Sequence, residues 1–103
     1  MTDWPDETTL RAILDLPGVS GQTIAVVERY LADSPGYQRR YYADLPAEPE
    51  KVDNEMEWES LRGQWGQACE LVRSGWKSSR EMGDELSRVV QAHWGQLVDM
   101  GKV

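Results

Sequence analysis

The chain contains no phenylalanine, a single cysteine and a single histidine among its 103 residues. Basic residues are scarce, 11 against 18 acidic, and the longest apolar run is the four residues "IAVV" at 24–27. Each shortage excludes something. Cys69 alone forms no intrachain disulfide, which suits a reducing compartment. Runs this short do not span a membrane. The opening "MTDWPDETTL" is acidic and broken by Pro5, the reverse of a basic and then apolar signal peptide, so a cytoplasmic protein is expected. His93 and Cys69 together are too few for a zinc site. Both fall on apolar helical stripes, where a buried small residue and a buried imidazole are expected rather than a nucleophile and its base. With no glycine-rich phosphate loop and no Ser-His-Asp order, neither enzymatic activity nor a cofactor is expected. Few lysines and arginines also disfavour general binding to a phosphate backbone.

What the chain has in abundance is acid, unevenly placed. The net charge is −7. Residues 1–33 hold six acids against Arg11 and Arg29, hence −4, while 34–45 and 61–103 come to +1 each. Residues 46–60 hold Glu48, Glu50, Asp53, Glu55, Glu57 and Glu59 against Lys51, hence −5. Such a cluster favours solubility and attraction to a basic partner.

The periodicity predicts an all-α domain. Asp3 is placed to cap a first helix carrying Leu10, Ile13 and Leu14, which Pro17-Gly18 ends. Ser20 caps a second, with Ile24, Val27 and Leu31 at helical spacing. "DSPG" at 33–36 stops it, and "YQRRYYADL" is ambiguous between helix and strand. "PAEPEKVD", residues 46–53, reads as a linker between N-terminal helices (1–45) and a helical hairpin (54–103). Val52, Met56 and Trp58 alternate as in a strand, but Trp58, Leu61, Trp65, Ala68 and Val72 step by three and four, which favours helix. Ser74-Gly75 should end that helix, and Ser78 with Glu81 resembles a capping box opening the last one, which ends at Gly101. The expected fold is therefore two short N-terminal helices plus a longer antiparallel helical hairpin. Trp58, Leu61, Trp65, Val72, Met82, Leu86, Val89 and Leu97 are its expected core. A continuous helix over 54–100 is the alternative, and implies a dimer made through the same seam.

"WGQ" occurs twice, at 65–67 and 94–96. Each of Gly63, Gly66, Gly83 and Gly95 costs a helix about 0.8–1 kcal/mol relative to alanine. Close helix packing beside Trp65 and Trp94 is the expected compensation.

Three stretches bear on function. "LDLPGVSGQTIAVVERYL", residues 14–31, resembles a helix-hairpin-helix motif through Leu16, Pro17, Gly18, Val19, Thr23 and Val27. The resemblance covers under a fifth of the chain and implies that the backbone of Gly18, Val19, Ser20 and Gly21 grips a DNA phosphate. Ser20 stands where the motif has its second glycine, Ile24 where it has a small alanine, and the hairpin carries no lysine or arginine. The alternative is that Pro-Gly followed by a serine cap simply joins two helices. "YQRRYY", residues 37–42, sets Arg40, Tyr41 and Tyr42 among residue types that anchor protein interfaces or pair internally as cation–π contacts. In the acidic run, a calcium loop would need glycine at its sixth position, where Trp58 stands, so calcium is excluded.

Direct nucleic-acid binding being disfavoured, the leading expectation is a non-enzymatic interaction protein, a small acidic inhibitor or adaptor. Glu48, Glu50, Asp53, Glu55, Glu57 and Glu59 would meet a basic surface of a nucleic-acid-handling partner, with Arg40, Tyr41 and Tyr42 as further anchors. In size and charge it is similar to small acidic phage proteins that block nucleases by mimicking nucleic acid, anti-CRISPR proteins among them. A helix-hairpin-helix DNA-binding module and a structural or oligomer-forming subunit, monomer or homodimer, are the alternatives.

Overall fold

A computed structural model describes residues 4–102 and is all-helical over them. Helix α1 spans Glu7–Leu14, α2 Gly21–Ala32, α3 Ser34–Tyr42 and α4 Glu55–Asp99. At 1.5 Å per residue, the 45 residues of α4 run for about 68 Å. That matches the longest dimension of the molecule, 67 Å, so α4 is its spine.

The first turn begins later than the sequence suggests. Asp6 caps α1, its side chain accepting from the Thr8 amide, while the proposed cap Asp3 lies outside the described residues. Asp15 and Leu16 close α1 by bonding back to its carbonyls, and Gly18 then takes φ 75°, a left-handed conformation that glycine alone adopts cheaply. Ser20 caps α2 by accepting from the Thr23 amide at 3.2 Å. Asp33 separates α2 from α3, and Pro35 sits in the first turn of α3, where its missing N–H costs nothing. "YQRRYY" is thereby helical.

The antiparallel hairpin is not formed. Residues placed in its turn serve instead to dock α3 onto an unbroken α4. Gly75 brings its bare backbone against Arg40, whose Cβ would lie only 3.3 Å from a glycine-replacing Cβ. Ser79 is fully buried and donates its hydroxyl to the Tyr37 carbonyl at 2.8 Å. Trp76 donates its indole N–H to the Ala43 carbonyl at 2.7 Å. A serine satisfied by a neighbouring helix has no reason to start a new one.

One core sits over the C-terminal half of α4. Met82, Leu86, Val89 and Leu97, all expected there, close on Leu10, Ile13, Val27 and Tyr30 from α1 and α2. Tyr30 is the largest fully buried side chain, and Trp4 stacks on it at 5.4 Å. Trp58, Leu61, Trp65 and Val72 do not join this core; they are half-buried along the N-terminal half of α4. Their cover is the segment between α3 and α4, which runs back beside the helix. Trp65 donates its indole N–H to the Pro46 carbonyl at 2.8 Å, eleven residues along α4 from the Trp76–Ala43 bond. The seam that a continuous helix was expected to offer to a second copy is therefore taken by the chain's own linker.

The glycine expectation also fails at most positions. A Cβ at Gly63, Gly66 or Gly95 would meet nothing within 4 Å, and only at Gly83 does a tryptophan, Trp4, lie beside one. Trp94 is half exposed. The two WGQ stretches thus have different surroundings, one strapping the linker and one open to solvent.

Candidate functional site: an acidic end on the helical spine

Residues 52–58 resolve as a helix start. Asn54 is the cap, its side-chain oxygen accepting from the Glu57 amide at 3.0 Å. Glu55 and Glu57 then fall in the first turn, where the positive end of the helix dipole favours carboxylates. Glu55 and Glu59 are one turn apart on one side, and Glu57 points to the other. Glu48, Glu50 and Asp53 are carried in by the linker. All six carboxylates are exposed, and among the described residues none takes part in an ion pair. They occupy the end of the spine remote from the core.

This end has defined relief. A hollow of about 390 Å³ lies between linker and helix, lined by Lys51, Val52, Asp53, Glu55, Trp58 and Arg62, among others. Arg62 places its guanidinium over the Trp58 ring at 5.9 Å from the centroid. Because Trp65 ties the linker at Pro46, the acids on the linker and those on the helix are held against one scaffold. This strap was not foreseen; the three tryptophans at 58, 65 and 76, facing one side of a helix beside a proline-bearing segment, were the signal for it.

Arg40, Tyr41 and Tyr42 are not gathered at the acidic end. Arg40 lies against Gly75, and 75 − 59 = 16 residues from Glu59 is about 24 Å along the helix. Its charge is engaged internally, 3.7 Å from Asp33 and 4.8 Å over the Tyr37 ring. Tyr41 meets Trp4 edge-on at 5.6 Å and Tyr42 at 5.0 Å, though both tyrosines remain 44% and 54% exposed. They form a separate aromatic patch at mid-molecule.

The Pro17-Gly18 turn leaves Gly18, Ser20 and Gly21 exposed and Val19 half-buried. Ser20 is committed to its own helix, bonding both the amide and the hydroxyl of Thr23. Cys69 is buried. His93 donates from Nδ1 to the Val89 carbonyl at 2.7 Å. The two sit 93 − 69 = 24 residues apart on one straight helix, about 36 Å, so they do not meet. Among the described residues, no three His, Cys, Asp or Glu side chains converge as metal ligands, and no helix is long and apolar enough to cross a membrane.

The ionisation of Tyr30 is displaced for a structural reason. Burial pushes the Tyr30 phenol above its ordinary value, partly offset by the hydrogen bond from Gln38 Nε2 at 2.8 Å, while the charge of Glu7 raises it further. Compared with known proteins, the chain matches no family model, no curated protein and no solved structure.

Proposed function

We propose that this is a non-enzymatic cytoplasmic interaction protein, an acidic inhibitor or adaptor that presents one carboxylate-rich end to a basic surface on a nucleic-acid-handling partner. The observation that carries the reading is the placement of Glu48, Glu50, Asp53, Glu55, Glu57 and Glu59. All six are exposed, free of ion pairs among the described residues, and mounted on one end of a 67 Å spine. Separate carboxylates on a stiff support imitate a row of phosphates better than a flexible acidic tail, because less ordering accompanies binding. The anti-CRISPR-like mode, occupation of a nucleic-acid groove by carboxylates, is the specific form proposed. Tyr41 and Tyr42, in their separate patch at mid-molecule, would serve as a second contact only for a partner that reaches beyond the acidic end. Arg40 is assigned to the fold.

The test is capture from a nuclease-treated bacterial lysate by the wild-type chain and, in parallel, by Glu48→Lys/Glu50→Lys/Glu57→Lys. The expected result is one nucleic-acid-handling protein, released by salt and by added duplex DNA, and lost with the variant. A partner retained equally by the variant overturns the charge mechanism. The helix-hairpin-helix reading draws on the left-handed Gly18 and the exposed turn at 18–21. It is favoured instead if the pure protein shifts duplex DNA and Gly18→Val abolishes the shift.

A further inference from the structure

The linker between α3 and α4 has a period of its own. Ala43, Pro46, Pro49 and Val52 are half-buried, and the residues between them are all exposed. Among the described residues, no backbone group of 43–53 bonds to another backbone group. A three-residue repeat carrying prolines and no backbone ladder has the pattern of a polyproline II helix. Its carbonyls are met by indoles instead, Ala43 by Trp76 at 2.7 Å and Pro46 by Trp65 at 2.8 Å. Proline-rich segments are bound in this manner, laid along an aromatic-lined groove.

The groove is one side of α4. Trp58, Leu61, Trp65, Ala68, Val72 and Trp76 step along it by three and four, all half-buried. Strap and groove agree in length. From Ala43 to Val52 is 52 − 43 = 9 residues, about 28 Å at the rise of a polyproline II helix. From Trp76 back to Trp58 is 76 − 58 = 18 residues, about 27 Å of α-helix. Ala43 meets Trp76 at one end, and Val52 and Trp58 share the hollow at the other, so the two run antiparallel over their whole length.

The strap fits in shape and is mismatched in charge. Residues 43–53 hold Asp44, Glu48, Glu50 and Asp53 against Lys51, hence −3. The helix they lie beside begins with Glu55, Glu57 and Glu59 against Arg62, hence −2. Like charges held side by side oppose closure. A segment with the same apolar period but lysine or arginine between would fill the same row and meet Glu55 and Glu59 with the opposite sign.

We propose that the tryptophan face of α4 is a docking groove for a basic, proline-rich segment in the polyproline II conformation, and that the chain's own acidic strap occupies it in the free protein. This deepens the acidic-end reading and rests on it for the sign of the partner's charge. Tethered at both ends, the strap holds the groove at an effective concentration on the order of millimolar, so an incoming segment must outcompete it.

The probe is a synthetic peptide of residues 43–54 carrying Glu48→Lys, Glu50→Lys and Asp53→Lys. Two controls accompany it, the unaltered acidic peptide and a peptide of the probe's composition with both prolines moved off the three-residue period. The readout is the indole N–H resonances of the full chain in nitrogen-edited NMR. Titration to about 5 mM probe, a range set by the tethered competitor, should shift Trp65 and Trp76 and leave the half-exposed Trp94 in place. Pro46→Ser/Pro49→Ser/Val52→Ser weakens the strap in cis and should bind the probe at least about tenfold tighter than the wild type. Adding Trp65→Phe to that variant removes the donor and should cost about fivefold. Wild-type indoles that stay in place, or either control peptide matching the probe, would overturn the proposal. If the triple variant loses helicity, the wild-type titration decides alone. Glu57 points away from Glu55 and Glu59, so capture from lysate that is unaffected by Glu57→Lys/Glu59→Lys speaks against the acidic end itself, whereas a control peptide matching the probe speaks against the groove alone.

Discussion

Replacing Trp65 tests whether the linker strap is what keeps the N-terminal half of α4 helical. That half projects beyond the core, and an isolated helix of its length is marginal in water. Gly63 and Gly66 sit within it, each costing about 0.8–1 kcal/mol against alanine. The indole contributes a hydrogen bond to the Pro46 carbonyl, worth about 1 kcal/mol net. Covering roughly 100 Å² of its apolar surface adds about 2.5 kcal/mol at ~25 cal/mol/Å². Trp65→Ala should therefore lower the free energy of local opening by about 3.5 kcal/mol, which is about 400-fold in exchange rate. Trp65→Phe keeps most of the ring and loses the donor, so about 1 kcal/mol and about fivefold are expected. Hydrogen exchange resolved by residue is the assay. Amides from about 58 to 72 should speed up in that order of variants, while those around Leu86 and Val89 hold steady. Equal protection in all three proteins, or a loss spread evenly over the chain, would refute the strap.

Other perturbations have equally definite outcomes. Leu86 is fully buried in the single core, so Leu86→Ala should cost about 2–5 kcal/mol and lower the thermal midpoint by at least about 10 °C in calorimetry. Gly63→Ala should stabilise by about 0.5–1 kcal/mol, whereas Gly75→Ala should fail to, its Cβ pressing on Arg40 at 3.3 Å; urea midpoints compare the two. Gly18→Ala, forced into φ 75°, should destabilise by about 1–2 kcal/mol on the same measurement. For Tyr30, a phenol whose folded pKa is raised keeps its proton in the native state longer than in the unfolded one. Its contribution is complete below about pH 10 and is lost as pH climbs through the folded value. Urea midpoints between about pH 9 and 11 should fall more steeply for the wild type than for Tyr30→Phe, and parallel curves would contradict the burial argument.

Much of this architecture was legible before any coordinates. The Pro17-Gly18 turn, the Ser20 cap, the apolar stripe Met82–Leu86–Val89–Leu97 and the glycine stop at 101 depend on backbone conformation and helical period, which local residues carry by themselves. The acidic bias of residues 46–60 was equally plain, and helix α4 turned it into a feature with sides. The hairpin was misread because Gly75, Ser78 and Ser79 are the residues a turn would use. They are also what a docking α3 needs: a bare backbone for Arg40 and a buried hydroxyl for the Tyr37 carbonyl.

The sequence by itself determined that this chain is helical, where its short helices begin, which stripe faces the core and where its charge is concentrated. Those properties follow from interactions within a few residues. Only the tertiary structure decided that α4 runs unbroken, that Trp65 and Trp76 hold the linker rather than a second helix, and that Arg40 is separated from the acids it was grouped with. Each of those turns on a hydrogen bond or contact between residues 19 to 42 positions apart, or on their distance along a rigid helix, and no local pattern encodes such a choice.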